Sequence, residues 1–197
     1  MFNGREYSYF YHPYNLAWRN ERAVEVPIVR ELVLAHEGQS VLEVGNVLAH
    51  YMETDHQVVD KYEIAEGVIN ADAADFEPGN HYGLIVSIST LEHVGWDETP
   101  RDPRRVVAAV NNLAGLLAPG GVLVATAPFG LNPEFDRLLV SGELPFTEID
   151  SLRRMGAKNV WEQADLSSVL GSIYTRRAFR ADAIIIGTIR EGQVRTG

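Results

Sequence analysis

Residues 40–51 read S-V-L-E-V-G-N-V-L-A-H-Y, and this stretch decides the fold. Its first half is a short apolar strand, Val41–Val44. Gly45 follows, and a short helical pattern starts at once over residues 47–53. A strand that ends at a glycine and turns straight into a helix is how a doubly wound α/β domain builds a ligand crevice. The glycine pattern is incomplete. A loop that cradles a pyrophosphate carries two more glycines, and Val47 and Ala49 stand in those places.

The same alternation continues outward. Residues 20–35 predict a helix, with Pro27 kinking it and Gly38 ending it. Residues 57–59, 67–69 and 84–88 predict strands that end at Asp60, Asp72 and Ser89. Residues 103–117 predict an amphipathic helix, 118–121 a turn and 122–125 a strand. Residues 149–155 predict a helix, and 160–163 and 183–189 the last two strands. Strands alternating with helices predict an α/β fold, Rossmann-like and doubly wound. Its sheet is expected to be mostly parallel and seven-stranded, with an antiparallel edge strand.

Bulk properties narrow the function. The chain has 197 residues, one domain by default, and 46% hydrophobic residues, ordinary for a globular protein. Its formal net charge of -10 opposes a phosphate backbone, so no nucleic-acid partner is expected. Arg101, Arg104 and Arg105, and Arg176, Arg177 and Arg180, read as solvated faces or as contacts for a small anion. No apolar run approaches the length that spans a bilayer, so no membrane partner is expected. Cysteine is absent, which excludes disulfides and thiolate chemistry and fits a reducing, cytoplasmic compartment.

In an open α/β sheet, ligands bind beyond the carboxyl ends of the strands. That placement gathers Glu43, Gly45, Asp60, Asp72, Ser87 and Ser89. Asp60 suits a ribose diol, Asp72 a base, and Gly45 a close backbone approach. Carboxylates in place of a pyrophosphate cradle favour a cationic ligand with ribose and adenine but no phosphate, such as S-adenosylmethionine. Glu43 has a second reading, as a cap on the amides that follow it. Glu63 is the alternative ribose acid, and Asp75 reads as a turn cap.

Five segments, V-L-E-V-G-N, V-V-D-K-Y-E, I-N-A-D-A-A-D-F, Y-G-L-I-V-S-I-S-T-L-E-H-V and L-L-A-P-G-G-V-L-V-A-T-A-P, occur in that order. Together they resemble the class I S-adenosylmethionine-dependent methyltransferases over about residues 38–130. They also resemble a subgroup associated with small-molecule, sugar and cell-surface biosynthesis. The resemblance implies S-adenosylmethionine as cofactor and S-adenosylhomocysteine as product. It implies cofactor contacts from Glu43, Gly45, Asn46, Asp60, Lys61, Asp72, Ala73, Ser87 and Ser89. Val47 departs from the pattern, because a glycine there would make room for the methionine moiety.

The segment after the fourth strand carries the catalytic candidates. His93 is a general base for a hydroxyl or amine, and Glu92 is its companion. Glu92, His93, Asp97 and Glu98 match no metal-ligand spacing, so no metal is expected. Residues 1–18 are rich in aromatics, and they read as a staple on the core or as an aromatic N-terminal lid. Tyr11, Tyr14, Trp18 and Arg19, with Phe129, Asn132 and Phe135, are the acceptor-pocket candidates. The expected division is a lid and helix over 1–37, a cofactor-binding core over 38–130, and an acceptor-side insertion with edge strands over 131–197. The expected activity is methyl transfer to oxygen or nitrogen of a small molecule such as a sugar or secondary metabolite. The alternatives are a non-catalytic cofactor-binding module or scaffold on the same fold, and a nicotinamide-dependent oxidoreductase. The incomplete glycine pattern and the lack of a Tyr-x-x-x-Lys pair disfavour the oxidoreductase.

Overall fold

The computed structural model describes residues 2–156 and 159–193. Residues 157–158 and 194–197, part of the expected C-terminal insertion, lie outside the described residues. Helix α1 (Arg22–Ala35) leads into strand β1 (Val41–Val44), then β2 (Gln57–Val59), β3 (Val68–Ile69) and β4 (Tyr82–Ile88). Helix α2 (Arg105–Gly115), strand β5 (Leu117–Pro128) and helix α3 (Pro133–Val140) follow. The remaining strands are β6 (Glu148–Met155), β7 (Val160–Ala164), β8 (Tyr174–Thr175), β9 (Arg180–Ala181) and β10 (Ala183–Arg190).

Eight strands form one sheet in the order β3-β2-β1-β4-β5-β10-β6-β7. The first five are mutually parallel, and the pairs β5/β10, β10/β6 and β6/β7 are antiparallel. The expected seven-stranded sheet with one antiparallel edge strand is therefore eight-stranded, with three antiparallel strands on one side. Strands β8 and β9 pair separately as a small hairpin.

The period of two along the strands sends alternate side chains to opposite faces. Leu84, Val86 and Ile88 of β4 pack with Val26, Ile28 and Val29 of α1. Leu42, Val44 and Ile85 pack with Val110 and Leu113 of α2 and with Leu138 of α3. The sheet thus carries one core on each face. The chain leaves β1 toward β2 and β3, then crosses back to β4 on the other side of β1. A crevice opens at that reversal.

Three elements differ from expectation. Residues 149–155 are strand, not helix. The helix expected over 47–53 is a single 3-10 turn, Leu48–His50, so little chain separates β1 from β2. Residues 118–121 are built into the start of β5. Pro27 does not interrupt α1. Proline leaves the carbonyl four residues back without its helical donor. That carbonyl, on Ala23, accepts the Phe10 amide at 2.9 Å, so the N-terminal segment is docked where the helix needs a partner.

Candidate functional site

A cavity of about 560 Å³ lies at the carboxyl ends of β1, β2 and β4. Gly45, Asp60, Asp72, Ala73, Ser89 and His93 are among the residues that line it. Its volume falls in the range of small-molecule sites.

Gly45 sits at φ +87°, a backbone state that side chains disfavour, and its amide donates to the Val59 carbonyl at 2.8 Å. A Cβ at this position would collide with the Thr90 side chain. Only glycine lets β1 end against the loop after β4. Glu43 is fully buried and lies behind the loop, outside the cavity lining. Its Oε1 accepts the amides of Val47 at 2.9 Å and Leu48 at 2.8 Å, and its Oε2 pairs with His56 Nε2 at 2.8 Å. Here Glu43 caps the loop, its second sequence reading. Val47 takes a right-handed backbone that needs no glycine, and its side chain packs into the α1-side core. Asn46 is buried next to Glu63, to which its side-chain amide donates at 2.6 Å.

Asp60 is held by three backbone amides. Oδ1 accepts Tyr62 at 2.8 Å and Glu63 at 2.7 Å, and Oδ2 accepts Asn46 at 3.2 Å. A carboxylate offers about four acceptor sites, so Oδ2 retains one. Asp72 Oδ1 accepts the Ala74 amide at 2.9 Å, and Oδ2 accepts Lys61 at 2.9 Å and Arg105 at 3.3 Å. Burial pushes the Asp72 carboxyl up, but the Ala74 amide, Lys61 and Arg105 outweigh it and hold the group below its usual range. Lys61 also reaches Glu98 at 2.6 Å, which with Asp72 holds the ammonium well above its usual range. Lys61 thus ties the β2 turn to both Asp72 and the segment after His93.

Ser87 is buried and donates to the Val44 carbonyl at 3.1 Å, which locks β4 to β1 and keeps it out of the cavity lining. Ser89 lines the cavity at φ +41° and donates to Glu25 Oε1 at 2.6 Å. His93 faces the cavity half-exposed, and its Nδ1 pairs with Asp97 Oδ2 at 2.6 Å. Glu92, 1% exposed, is not among the residues that line the cavity, and its Oε1 lies 3.7 Å from His93 Nε2. Among the described residues no group of three or more histidines and carboxylates could hold a metal ion.

None of Tyr11, Tyr14, Trp18, Arg19, Phe129 or Asn132 lines this cavity. Tyr14 stacks on His50 at 4.5 Å, and Tyr11 stacks on Trp18 at the surface. Phe129 and Phe135 belong to the packed core. Asn132 caps α3, and its side chain donates to the Glu92 carbonyl at 2.7 Å, so it braces the segment after β4 from inside. Phe2 packs into the α1-side core, and the Tyr9 hydroxyl accepts the Trp161 amide at 2.9 Å, which makes residues 2–10 a staple.

Sequence reasoning missed a polar cluster beneath the site. Glu25 is fully buried, with Oε1 accepting Ser89 and Thr126 and Oε2 paired to Arg22 at 2.7 Å. A signal existed: Glu25 interrupts the apolar run A-V-E-V-P-I-V of α1. Burial first, and Glu25 second, push the Glu21 carboxyl up to about 7. No helix among the described residues is long and apolar enough to cross a membrane.

No protein-family model and no curated protein matches the chain. Solved structures do. The N-methyltransferase NodS from Bradyrhizobium japonicum WM9 aligns over 88% of this chain and 97% of its own, at 16% identity and a TM-score of 0.54. Its complex with S-adenosyl-L-homocysteine aligns over 88% of each chain, at 16% identity and a TM-score of 0.52. A SAM-dependent methyltransferase from Archaeoglobus fulgidus aligns over 91% of this chain and 100% of its own, at 15% identity and a TM-score of 0.52. The chain has the Rossmann-like methyltransferase fold.

Proposed function

We propose that this protein is an S-adenosylmethionine-dependent methyltransferase acting on oxygen or nitrogen of a small molecule. The observation that carries the reading is the cavity at the strand reversal, bounded by Gly45, Asp60 and Asp72 with acceptor sites still free on both carboxylates. That set fits a cationic adenosyl ligand and offers no cradle for a pyrophosphate. The printed descriptions of the structural neighbours, N-methyltransferase and SAM-dependent methyltransferase, support the same reading.

When bound, S-adenosylmethionine supplies an electrophilic methyl group on a sulfonium. The residues of this chain do the rest. Asp60 Oδ2 accepts a ribose hydroxyl, and Asp72 Oδ1 accepts the adenine amino group, beside a backbone contact at Ala73. Glu43 acts indirectly, by fixing the loop that carries Gly45. His93 takes the proton released from the acceptor, and Asp97 holds the ring so that Nε2 is the free acceptor. Much of the remaining rate comes from alignment of the two reactants.

Calorimetric titration with S-adenosylmethionine, S-adenosylhomocysteine and NAD tests the reading. Binding of the two sulfur nucleotides and not NAD is expected. Absence of binding by S-adenosylhomocysteine would overturn it. In an enzyme assay His93→Ala is expected to lower turnover roughly a hundredfold with nucleotide affinity unchanged.

A further inference from the structure

The buried cluster under the site has one member without any bonding partner. Glu92 is 1% exposed, and neither of its carboxylate oxygens has a hydrogen-bond partner among the described residues. An isolated buried carboxyl is costly unless it meets a proton or a cation.

Its surroundings supply no free cation. The groups that face it are Glu25, Arg22 and Glu21 from the start of α1, His93 beside it, and Tyr174 from β8. Arg22 is committed to Glu25 at 2.7 Å. Glu21 accepts the Ala181 amide at 3.2 Å. Burial, and then Glu21, push the Tyr174 hydroxyl up to about 12, and Glu92 and Glu25 add to the rise. Three glutamates thus share Arg22, with Arg154 near Glu21 only, in a buried site.

The cluster touches the cofactor cavity at two points. Ser89 lines the cavity and donates to Glu25, and His93 lines it with Nε2 at 3.7 Å from Glu92 Oε1. Both contacts lie at the carboxyl end of β4, on the crevice side of the sheet.

We propose that Glu92, buried behind His93 at the edge of this cavity, is the acceptor subsite, with Glu25 supporting it from beneath Ser89, and that the acceptor is a small-molecule amine that arrives as an ammonium ion. This rests on the methyl-transfer reading above. Burial keeps the Glu92 carboxyl protonated in the free protein. An incoming ammonium displaces that proton through the half-exposed His93 and pairs with the carboxylate. The ammonium then gives one N–H proton to Glu92, which leaves a neutral amine with its lone pair free. The N–C bond forms as the S–CH3 bond breaks, and that bond's electron pair stays on sulfur. The products are a methylammonium and a thioether, Glu92 keeps the proton and so returns to its form in the free protein, and the one proton released is that displaced through His93 on binding.

The test uses protein loaded with S-adenosylhomocysteine and two matched pairs, glucosamine with glucose and benzylamine with benzyl alcohol. Calorimetry is expected to show the amine bound at least roughly tenfold tighter in one pair or both, the effect of one desolvated charge pair. Glu92→Gln is expected to keep nucleotide affinity, lose the amine preference and melt at a higher temperature near neutral pH, because the amide is neutral without the proton that the buried acid must hold. Alcohols bound as tightly as amines, or no member of either pair bound, would overturn the proposal in the wild-type protein alone. Retained preference or a lower melting temperature in Glu92→Gln would also overturn it. Failure of S-adenosylhomocysteine to bind would instead remove the reading beneath it.

Discussion

Two residues of the site invite substitution because the structure gives each a single reason to be what it is. Gly45 combines a left-handed backbone with the Thr90 side chain against its α-carbon. Gly45→Ala adds about 1–2 kcal/mol of backbone strain and a packing clash of similar size, so a loss of about 2–4 kcal/mol is expected in a denaturant melt. Nucleotide affinity should fall with it. Asp97 lines the cavity and pairs with His93 Nδ1, and Asp97→Asn removes the charge beside the ring. A fall in kcat of roughly ten- to a hundredfold is expected, with nucleotide affinity unchanged. An unaltered kcat would show that His93 needs no orienting partner. Both strand-end acids and Gly45 were legible in the sequence, because a polar residue closing an apolar strand marks the crevice by itself. Asp97 was seen only as an acid near a histidine. Its pairing depends on the turn after the 3-10 helix, where the Trp96 and Asp97 amides donate to the His93 carbonyl, and no pattern announces that turn.

At the scale of elements, the parallel half of the sheet was readable, and so were β7 and β10 of the antiparallel half, but β6 was not. Strands β1 and β4 are short apolar runs between turn residues. Residues 149–155 misled because Ile149, Leu152 and Met155 are spaced like one face of a helix. In the sheet Leu152 is buried, Met155 is exposed and Arg154 is buried instead. The Arg154 guanidinium is satisfied by the carbonyls of Ala181 and Arg19 and lies 4.9 Å from the centre of the Trp161 ring. Those partners are distant in sequence, so the burial of an arginine could not be foreseen. The N-terminal segment divides in a similar way. Residues 2–10 are a staple, whereas Tyr11 and Trp18 stack on each other with 75% and 39% of their surface exposed. Tyr11→Ala and Trp18→Ala are expected to change stability by no more than about 0.5 kcal/mol. If this pair walls the acceptor, KM for the acceptor rises while nucleotide affinity holds. Unchanged KM in both variants would remove the lid from the account.

Across the whole molecule, carboxyls divide into two groups with opposite effects on stability. Asp72 and Glu98 lie below their usual range, and Glu143 lies at about 2 because Arg104 and Arg137 pair with it. These groups stabilise the fold above their unfolded pKa, and that contribution is lost as pH falls through the folded values. Glu92 lies well above its usual range, Glu21 at about 7 and Asp136 at about 6, each raised chiefly by burial. For these the folded state holds protons that the unfolded chain has released, so stability falls as pH rises from the unfolded pKa to the folded one. The window for Glu21 runs from 4.5 to about 7. Its shift corresponds to stability on the order of 3 kcal/mol, or roughly 6–12 °C in melting temperature for a chain of this size. The net charge of -10 at neutral pH acts in the same direction. Melting temperature is therefore expected to peak on the acid side of neutrality and to fall toward pH 7.5. Glu21→Gln can still accept the Ala181 amide without carrying charge, so it should flatten that decline. A wild-type melting temperature that rises steadily from pH 5 to pH 8 would contradict the buried acidic cluster. It would then also remove the ground on which Glu92 waits for a cation.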